Sequence, residues 1–395
     1  MRCSRTIRTA GVTFLMLLAA TGVALAQWDQ AAPVPVTSGP DYDALGRRSL
    51  ALDDLGTLHA VYSRGVGDDY GVYYVSKPAG QAWSEPEPIE GLCCIPGSAW
   101  LEVRKETGEA YVLSYRYGVF TVSIRRAGGW EYHPLAIPPE YGVEKYGMTI
   151  DGEGRAHVAM TVRRDDPLIW QLAYGYWDGS EDFHFQVFEY SDIPGHGLFS
   201  QPDIAVKRDG SVAIAYQGQF GPNILLRVAE NQSLGGTSWF TASIDPVDSL
   251  LYSESIEVTP NGDLHVAFHE NIEMGAASHV YYAVKRSRDK SFEPAVEIGG
   301  PYTGARPKMV VTGRGQPHVV FEETIGPHNT GRIIYATAER GAWRQSVLRD
   351  DNAFTTTLVL DRDGNGHLLY ERQIVQMQDN DVFYYGPTTG KREPE

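Results

Sequence analysis

The chain has 395 residues, with 34 Lys and Arg against 50 Asp and Glu, a formal net charge of −16. So acidic a surface offers phosphate no basic footprint, which excludes nucleic acid as a partner. Hydrophobic residues make up 42%, and 8 Trp, 23 Tyr and 13 Phe supply surface to bury, which excludes disorder as the main state.

The first 26 residues read as an export signal. Arg2, Arg5 and Arg8 form a basic start, residues 12–20 an apolar run, and Ala24-Leu25-Ala26 a small-x-small cleavage site before Gln27. The apolar run is short for a membrane span, and an uncleaved anchor is the alternative. The expected organisation is signal peptide 1–26, one domain over 27–387 and a flexible tail at 388–395. A secreted or periplasmic protein follows, with no membrane span after cleavage and a monomer as its expected state. Cys3 leaves with the signal. Cys93 and Cys94 remain as neighbours in an oxidising compartment and are expected to form a vicinal disulfide; two reduced, buried thiols are the alternative. A bridge between neighbours closes almost no chain, so it is no stability device.

From residue 50 onward one pattern recurs: a hydrophobic strand, an Asp/Gly turn, then a strand opening with a small residue or His. Its copies include Asp53-Asp54-Leu55-Gly56-Thr57-Leu58-His59, Asp151-Gly152-Glu153-Gly154-Arg155-Ala156-His157 and Pro260-Asn261-Gly262-Asp263-Leu264-His265. The anchoring glycines are 56, 108, 154, 210, 262, 315 and 364. An aromatic strand follows each turn, such as Val72-Tyr73-Tyr74-Val75, and then a lone aromatic: Trp83, Trp130, Phe183, Trp239, Phe292 and Trp343. The seventh lone aromatic is Trp28, at the other end of the chain, where it precedes an orphan strand. The last repeat ends at Phe383-Tyr384-Tyr385 without a fourth strand. The spacing predicts an all-β protein: a seven-bladed β-propeller of four-stranded antiparallel blades, the ring closed by the N-terminal strand. Closure ties both termini together and protects sheet edges.

The recurring His residues occupy one equivalent position in separate repeats. That keeps them apart, so a structural hydrogen bond to a neighbouring turn is expected rather than a metal site. Asp361-Arg362-Asp363-Gly364-Asn365-Gly366 opens like a calcium loop but lacks the later bidentate Glu, so an ordinary hairpin turn is expected. No metal and no cofactor is assigned.

The joints between third and fourth strands resemble the Asp-box, Ser-x-Asp-x-Gly-x-Thr-Trp, of sialidase-like propellers. Residues 76–83 keep Ser76, Gly80 and Trp83 in register, with Pro78 and Ala82 replacing the Asp and Thr; Ser123 and Trp130 keep the box's ends. The domain thus resembles a BNR-type propeller with degenerate boxes. The Asp-Gly-x-x-His turn followed by a Tyr-rich strand is similar to BNR-like propellers among polysaccharide lyases. The resemblance implies the fold, and no diagnostic catalytic motif of either group matches.

By analogy with the architecture, ligands of propellers bind over the central channel. The ends of the second strands supply, in order, Arg64; Tyr115, Arg116 and Tyr117; Arg163 and Arg164; Gln217; His269 and Glu270; Glu322 and Glu323; Glu371 and Arg372. Cations therefore gather on units one to three, and carboxylates with His269 on units five to seven. A guanidinium can clamp a sugar carboxylate. His269 and Glu270 are the candidate base and acid, and Trp100, Tyr115 and Tyr117 could stack on sugar faces. The expected partner is an acidic glycan, bound on this face and, if the protein is an enzyme, cleaved there by elimination or hydrolysis. The alternative is a non-catalytic lectin or protein-binding scaffold whose Arg and Glu residues pair across neighbouring units.

Overall fold

The computed structural model describes residues 28, 32–38, 42–66, 69–89, 99–116, 119–165, 168–180, 182–190, 201–220, 223–244, 250–271, 278–302, 306–325, 330–339, 341–375 and 379–387. The export signal, Cys93, Cys94, Tyr117 and the tail 388–395 lie outside these residues, as does the side chain of Arg116.

The described residues form strands and turns, with no helix among them. Unit two shows the local design: Trp100–Arg104, Glu109–Arg116, Val119–Arg126 and Gly129–Leu135 pair antiparallel in chain order. Units three to six repeat it as separate four-stranded sheets. In unit three, Ala156–Asp165 pairs on both sides, with Tyr141–Ile150 and Leu168–Trp177. Its first seven residues are all buried. Burial is continuous there because neighbouring sheets cover both faces of the strand, and its two polar members, His157 and Thr161, are buried with the rest.

The turn glycines explain the repeat. All seven anchoring glycines have φ between +72° and +87°, a region that costs a side chain but not glycine. The preceding acid completes the turn: Asp53 Oδ1 accepts the backbone N–H groups of Leu55 and Thr57, and Asp151 Oδ1 those of Glu153 and Arg155. Asp361 does the same for Asp363 and Asn365, which makes the calcium-like segment a hairpin turn.

The repeated His residues are bound within the sheets. The Nδ1 atoms of His59, His157, His265, His318 and His367 lie 2.5–2.8 Å from the hydroxyls of Tyr74, Tyr174, Tyr282, Tyr335 and Tyr384. His59 and His157 also reach the turn acids, Asp53 and Asp151, at 3.3 and 3.2 Å. The expected hydrogen bond to the turn is present in these two. The partner shared by all five is a third-strand tyrosine.

Those tyrosines in turn meet the lone aromatics of the following unit. Trp130 packs on Tyr74, Trp239 on Tyr174 and Trp343 on Tyr282, with centroids 5.0–5.5 Å apart. Trp83 packs on Tyr384 at 5.6 Å, joining unit one to unit seven. Trp28 meets Tyr335 at 5.4 Å and stacks on Tyr385 at 5.7 Å, the place of a seventh lone aromatic. The short strand Val34–Pro35 lies antiparallel to Asp379–Tyr385, with Val34 opposite Tyr384 and Pro35 opposite Phe383.

Units one and seven are not separate sheets. Tyr42–Ala44 pairs in parallel with Asp379–Tyr385 and antiparallel with Leu58–Val66, merging both units into one nine-stranded sheet. The spacing of the repeats could not show this, because residues 42–44 belong to no repeat. The first strands of the units touch in succession: Leu50–Leu52, Trp100–Arg104, Tyr141–Ile150, Asp203–Val206, Leu250–Val258, Lys308–Val311 and Ala353–Leu360. Ala353–Leu360 also touches Leu50–Leu52.

Candidate functional site

Counting seven residues on from each anchoring glycine reaches one register position of the second strands. It holds Ser63, Tyr115, Thr161, Gln217, His269, Glu322 and Glu371. Tyr115 is half-buried against Phe120, with ring centroids 4.7 Å apart, and the other six are buried. The sequence therefore places small or aromatic polar groups here in units one to three, and larger amide or ionisable groups in units four to seven. Buried ionisable side chains are costly unless partnered, so this arc is the strongest chemical feature of the second strands.

Glu371 is 3% exposed. Its Oε1 accepts the backbone N–H of Leu45 at 2.7 Å, and Asn380 Nδ2 approaches Oε2 at 3.5 Å. Burial pushes its carboxyl up to about 8; the Leu45 N–H opposes the shift and the nearby Glu322 adds to it. Burial also raises Glu322, against the pull of Arg306 and Lys308. Among the described residues Glu322 Oε1 has no hydrogen-bond partner. Tyr42 is raised by burial and by Glu371. Glu371 in this dry site therefore favours its proton at neutral pH, and Glu322 is shifted in the same direction. In unit five, His269 is buried beside Glu270 in sequence. Tyr281, hydrogen-bonded to Glu270, is pushed up to about 12 by burial and by that carboxylate.

Three of the guanidinium groups expected to clamp a ligand, those of Arg64, Arg163 and Arg372, are already engaged. Arg64 grips Asp43 through two bonds of 2.9 and 3.2 Å and lies over the rings of Tyr62 and Tyr73. Arg163 pairs with Glu144 at 2.9 Å and Asp165 at 2.8 Å. Arg372 sits 4.1 Å over Phe383 and 3.7 Å from Asp351, and Arg332 approaches Glu323 at 3.6 Å. Arg164 is exposed. Trp100 is 2% exposed, packed in the core beneath Arg48, and presents no ring face to a ligand.

Sequence reasoning missed residues 42–49. This segment precedes the first repeat and joins several units. Arg47 donates to the Gln201 carbonyl at 2.9 Å. Arg48 reaches Glu102 at 2.8 Å, Glu257 at 3.4 Å and Asp203 at 3.5 Å, and its carbonyl accepts the Leu101 N–H. The Ser49 carbonyl accepts from Val61. Burial raises Glu257 to about 7, with Arg48 opposing. The available signal was an Arg pair outside the repeat, matched by acids in the first strands of units two, four and five.

Among the described residues no group of three or more His, Cys, Asp or Glu could hold a metal ion. Among the same residues no helix is long and apolar enough to cross a membrane.

No protein-family model matches the chain, and no curated protein matches it by sequence. Solved structures do resemble it. An ulvan lyase, described as a new family of polysaccharide lyase, is 11% identical, with a TM-score of 0.62 over 90% of this chain and 96% of that one. The polysaccharide lyase Uly1 is 11% identical, with a TM-score of 0.54 over 87% and 89%. The phage phi92 endosialidase is 11% identical, with a TM-score of 0.50 over 92% and 70%. The structural neighbours are propeller-type carbohydrate-active enzymes, and at such low identity the likeness carries the fold: an all-β propeller type built of four-stranded antiparallel sheets.

Proposed function

We propose that the chain is an exported seven-bladed propeller that binds an acidic polysaccharide at the arc Gln217, His269, Glu322 and Glu371 and cleaves it there. The observation that carries this reading is the arc itself: buried ionisable residues at one register position in three consecutive units, five to seven. Shifted protonation in such groups is more common at working sites than elsewhere. Acidic ligands follow from the protonation. Burial holds Glu371 and Glu322 toward the neutral form, which weakens their repulsion of a sugar carboxylate and lets a protonated carboxyl donate a hydrogen bond to it. Seven blades are supported by the succession of contacts between first strands, and ring closure by the strand Val34–Pro35 on Asp379–Tyr385. Export is supported by the leader at 1–26, and with it a secreted or periplasmic location and a bridge between Cys93 and Cys94.

For elimination, His269 takes the proton α to the uronate carboxyl. The electron pair forms the new C=C bond, the glycosidic C–O bond breaks, and the leaving oxygen takes a proton from a neighbouring acid. Glu322 and Glu371, at the register position of His269 in the next units and held toward the protonated form by burial, are the acids this reading assigns; Glu270 follows His269 directly in the strand Leu264–Asn271 and so projects from its other face. Hydrolysis by two carboxyls is the competing chemistry. A lectin is the second reading, favoured by the pairing of Arg64, Arg163 and Arg372 with local acids.

The test offers ulvan and polygalacturonate to the purified protein, reading absorbance of the unsaturated product, new reducing ends and binding. Elimination that His269→Ala abolishes while binding persists supports the lyase. New reducing ends without unsaturation support hydrolysis. Binding with neither leaves the lectin, and no binding to any acidic glycan overturns the proposal.

A further inference from the structure

We propose that Thr355 is a positioning residue for the carboxyl pair of Glu322 and Glu371, holding one with its backbone N–H and the other with its hydroxyl. The proposal rests on the reading of these carboxyls as the acids of the arc, and it adds the residue that makes them a pair.

Thr355 lies in the first strand of unit seven, Ala353–Leu360, where the pairing slips by one residue. Phe354 stands opposite Glu371 and Thr356 opposite Tyr370, so Thr355 is the extra residue of a β-bulge beside Glu371. Its φ is +36°. A β-branched side chain is a poor choice for that region, and glycine would occupy it without strain. Among the described residues the other non-glycine with a positive φ is Asn352. There the cause is local: the Asn352 side chain accepts the Gly331 N–H at 3.2 Å and donates to the Gln373 carbonyl at 3.4 Å. Thr355 sits inside a strand, where no turn asks for such a backbone.

The bulged segment is fixed from outside. Gly331, in the third strand of unit six, lies so close that a Cβ on it would collide with the Ala353 carbonyl oxygen, and the two units meet backbone to backbone. Held there, Thr355 faces both carboxyls: its N–H hydrogen-bonds Glu322 and its hydroxyl hydrogen-bonds Glu371. Both bonds favour the charged carboxylates, against the burial that disfavours them. Glycine would supply the N–H and the φ but not the hydroxyl, which ties the strain of a threonine here to Glu371. Glu371 is also gripped by the Leu45 N–H at 2.7 Å. Glu322 keeps its Oε1 without a hydrogen-bond partner among the described residues, the oxygen left for a ligand. The other charged or titratable groups acting on this site, Arg306, Lys308 and Tyr42, are untouched by a change at Thr355, so an altered titration reports Thr355 itself.

Infrared spectra of the whole protein follow the carboxyl C=O band of Glu371 against pH, the band being assigned by its loss in Glu371→Gln. The same titration is run on Thr355→Val, Thr355→Gly and Thr355→Ser. Without the hydroxyl, Thr355→Val and Thr355→Gly should titrate Glu371 about half a pH unit or more above the parent, and Thr355→Ser should restore the parent value. Thr355→Gly accepts this φ and keeps the test open if Thr355→Val fails to fold. In elimination of ulvan or polygalacturonate, the Val and Gly variants should lower kcat about tenfold with KM little changed, and Ser should recover it. If Thr355→Gly titrates like the parent, or Thr355→Ser behaves like Thr355→Gly, the proposal is overturned. A parent protein that cleaves neither polysaccharide would count against the reading of the arc, while the infrared titration would still decide the role of Thr355.

Discussion

The carboxylate of Glu371 accepts the backbone N–H of Leu45 at 2.7 Å, joining residues 326 apart in sequence. Through that bond the last unit holds the segment that enters the first. The same segment is tied to units two, four and five by Arg48. Residues 42–49 thus act as a clasp within the fold rather than as a connection between repeats.

Glu371, which holds the clasp, and the buried sheet histidines should together make stability depend on pH in both directions. Glu371 rises from an ordinary 4.5 to about 8 in the folded protein, so the folded state binds the extra proton between those values. Its contribution is full below about pH 4.5 and is lost as pH rises toward 8. His265 and His318 fall from 6.5 to about 4, mainly through burial. Their neutral forms favour folding above pH 6.5, and that stability is lost as pH falls toward 4. The two windows overlap, and because two histidines outweigh one carboxyl there, denaturant midpoints should peak near pH 6.5, where the histidine contribution is complete and only the Glu371 loss continues. Glu371→Gln should flatten the alkaline limb alone; a limb unchanged by the substitution would mean that Glu371 does not supply it.

Removing Arg48 should be more damaging than its surface position in the sequence suggests. Arg48→Met leaves Glu102, Asp203 and Glu257 facing one another without their cation. Losing one side of such a buried network costs about 3–5 kcal/mol. Equilibrium unfolding in urea checks the figure, and a loss below about 1 kcal/mol would place the network in water.

The His–Tyr pairs predict a contrast between two neighbouring tyrosines. The Tyr174 hydroxyl lies 2.8 Å from His157 Nδ1, and both residues are fully buried. Tyr174→Phe strands the imidazole nitrogen and should cost about 1–3 kcal/mol. Tyr176 is half-buried on the outer part of the same strand, and Tyr176→Phe should cost well under that. Thermal melts of the two variants side by side make the comparison.

Deleting residues 27–37 should lower the Tm sharply. The deletion removes the Val34–Pro35 pairing, the Val36 and Thr37 bonds to Val382, and the Trp28 contacts with Tyr335 and Tyr385. Trp28→Ala alone should cost about 3 kcal/mol. A truncated protein that melts like the parent would show that the N-terminal strand is dispensable.

What the sequence determined by itself is the unit. Gly56 and its six equivalents need a positive φ, Asp53 and Asp151 need a short turn to cap, and His59 needs a polar partner once its strand is buried. Each requirement is local, so each leaves a periodic trace. The empty place in the last repeat pointed to Trp28 for the same reason, and Trp28 lies against Tyr335 as the pattern demands. His269, Glu322 and Glu371 were legible because they share one register position. What only the tertiary structure decided is who neutralises whom. Arg64 looks free in the sequence but meets Asp43, and Arg163 meets Glu144. Arg48 has no repeat partner at all, yet it gathers Glu102, Asp203 and Glu257 from units far away in the chain. Periodicity records what each strand must do for its own sheet. Long-range charge pairing depends on distances that close only when the sheets pack together, and it leaves no spacing in the sequence to read.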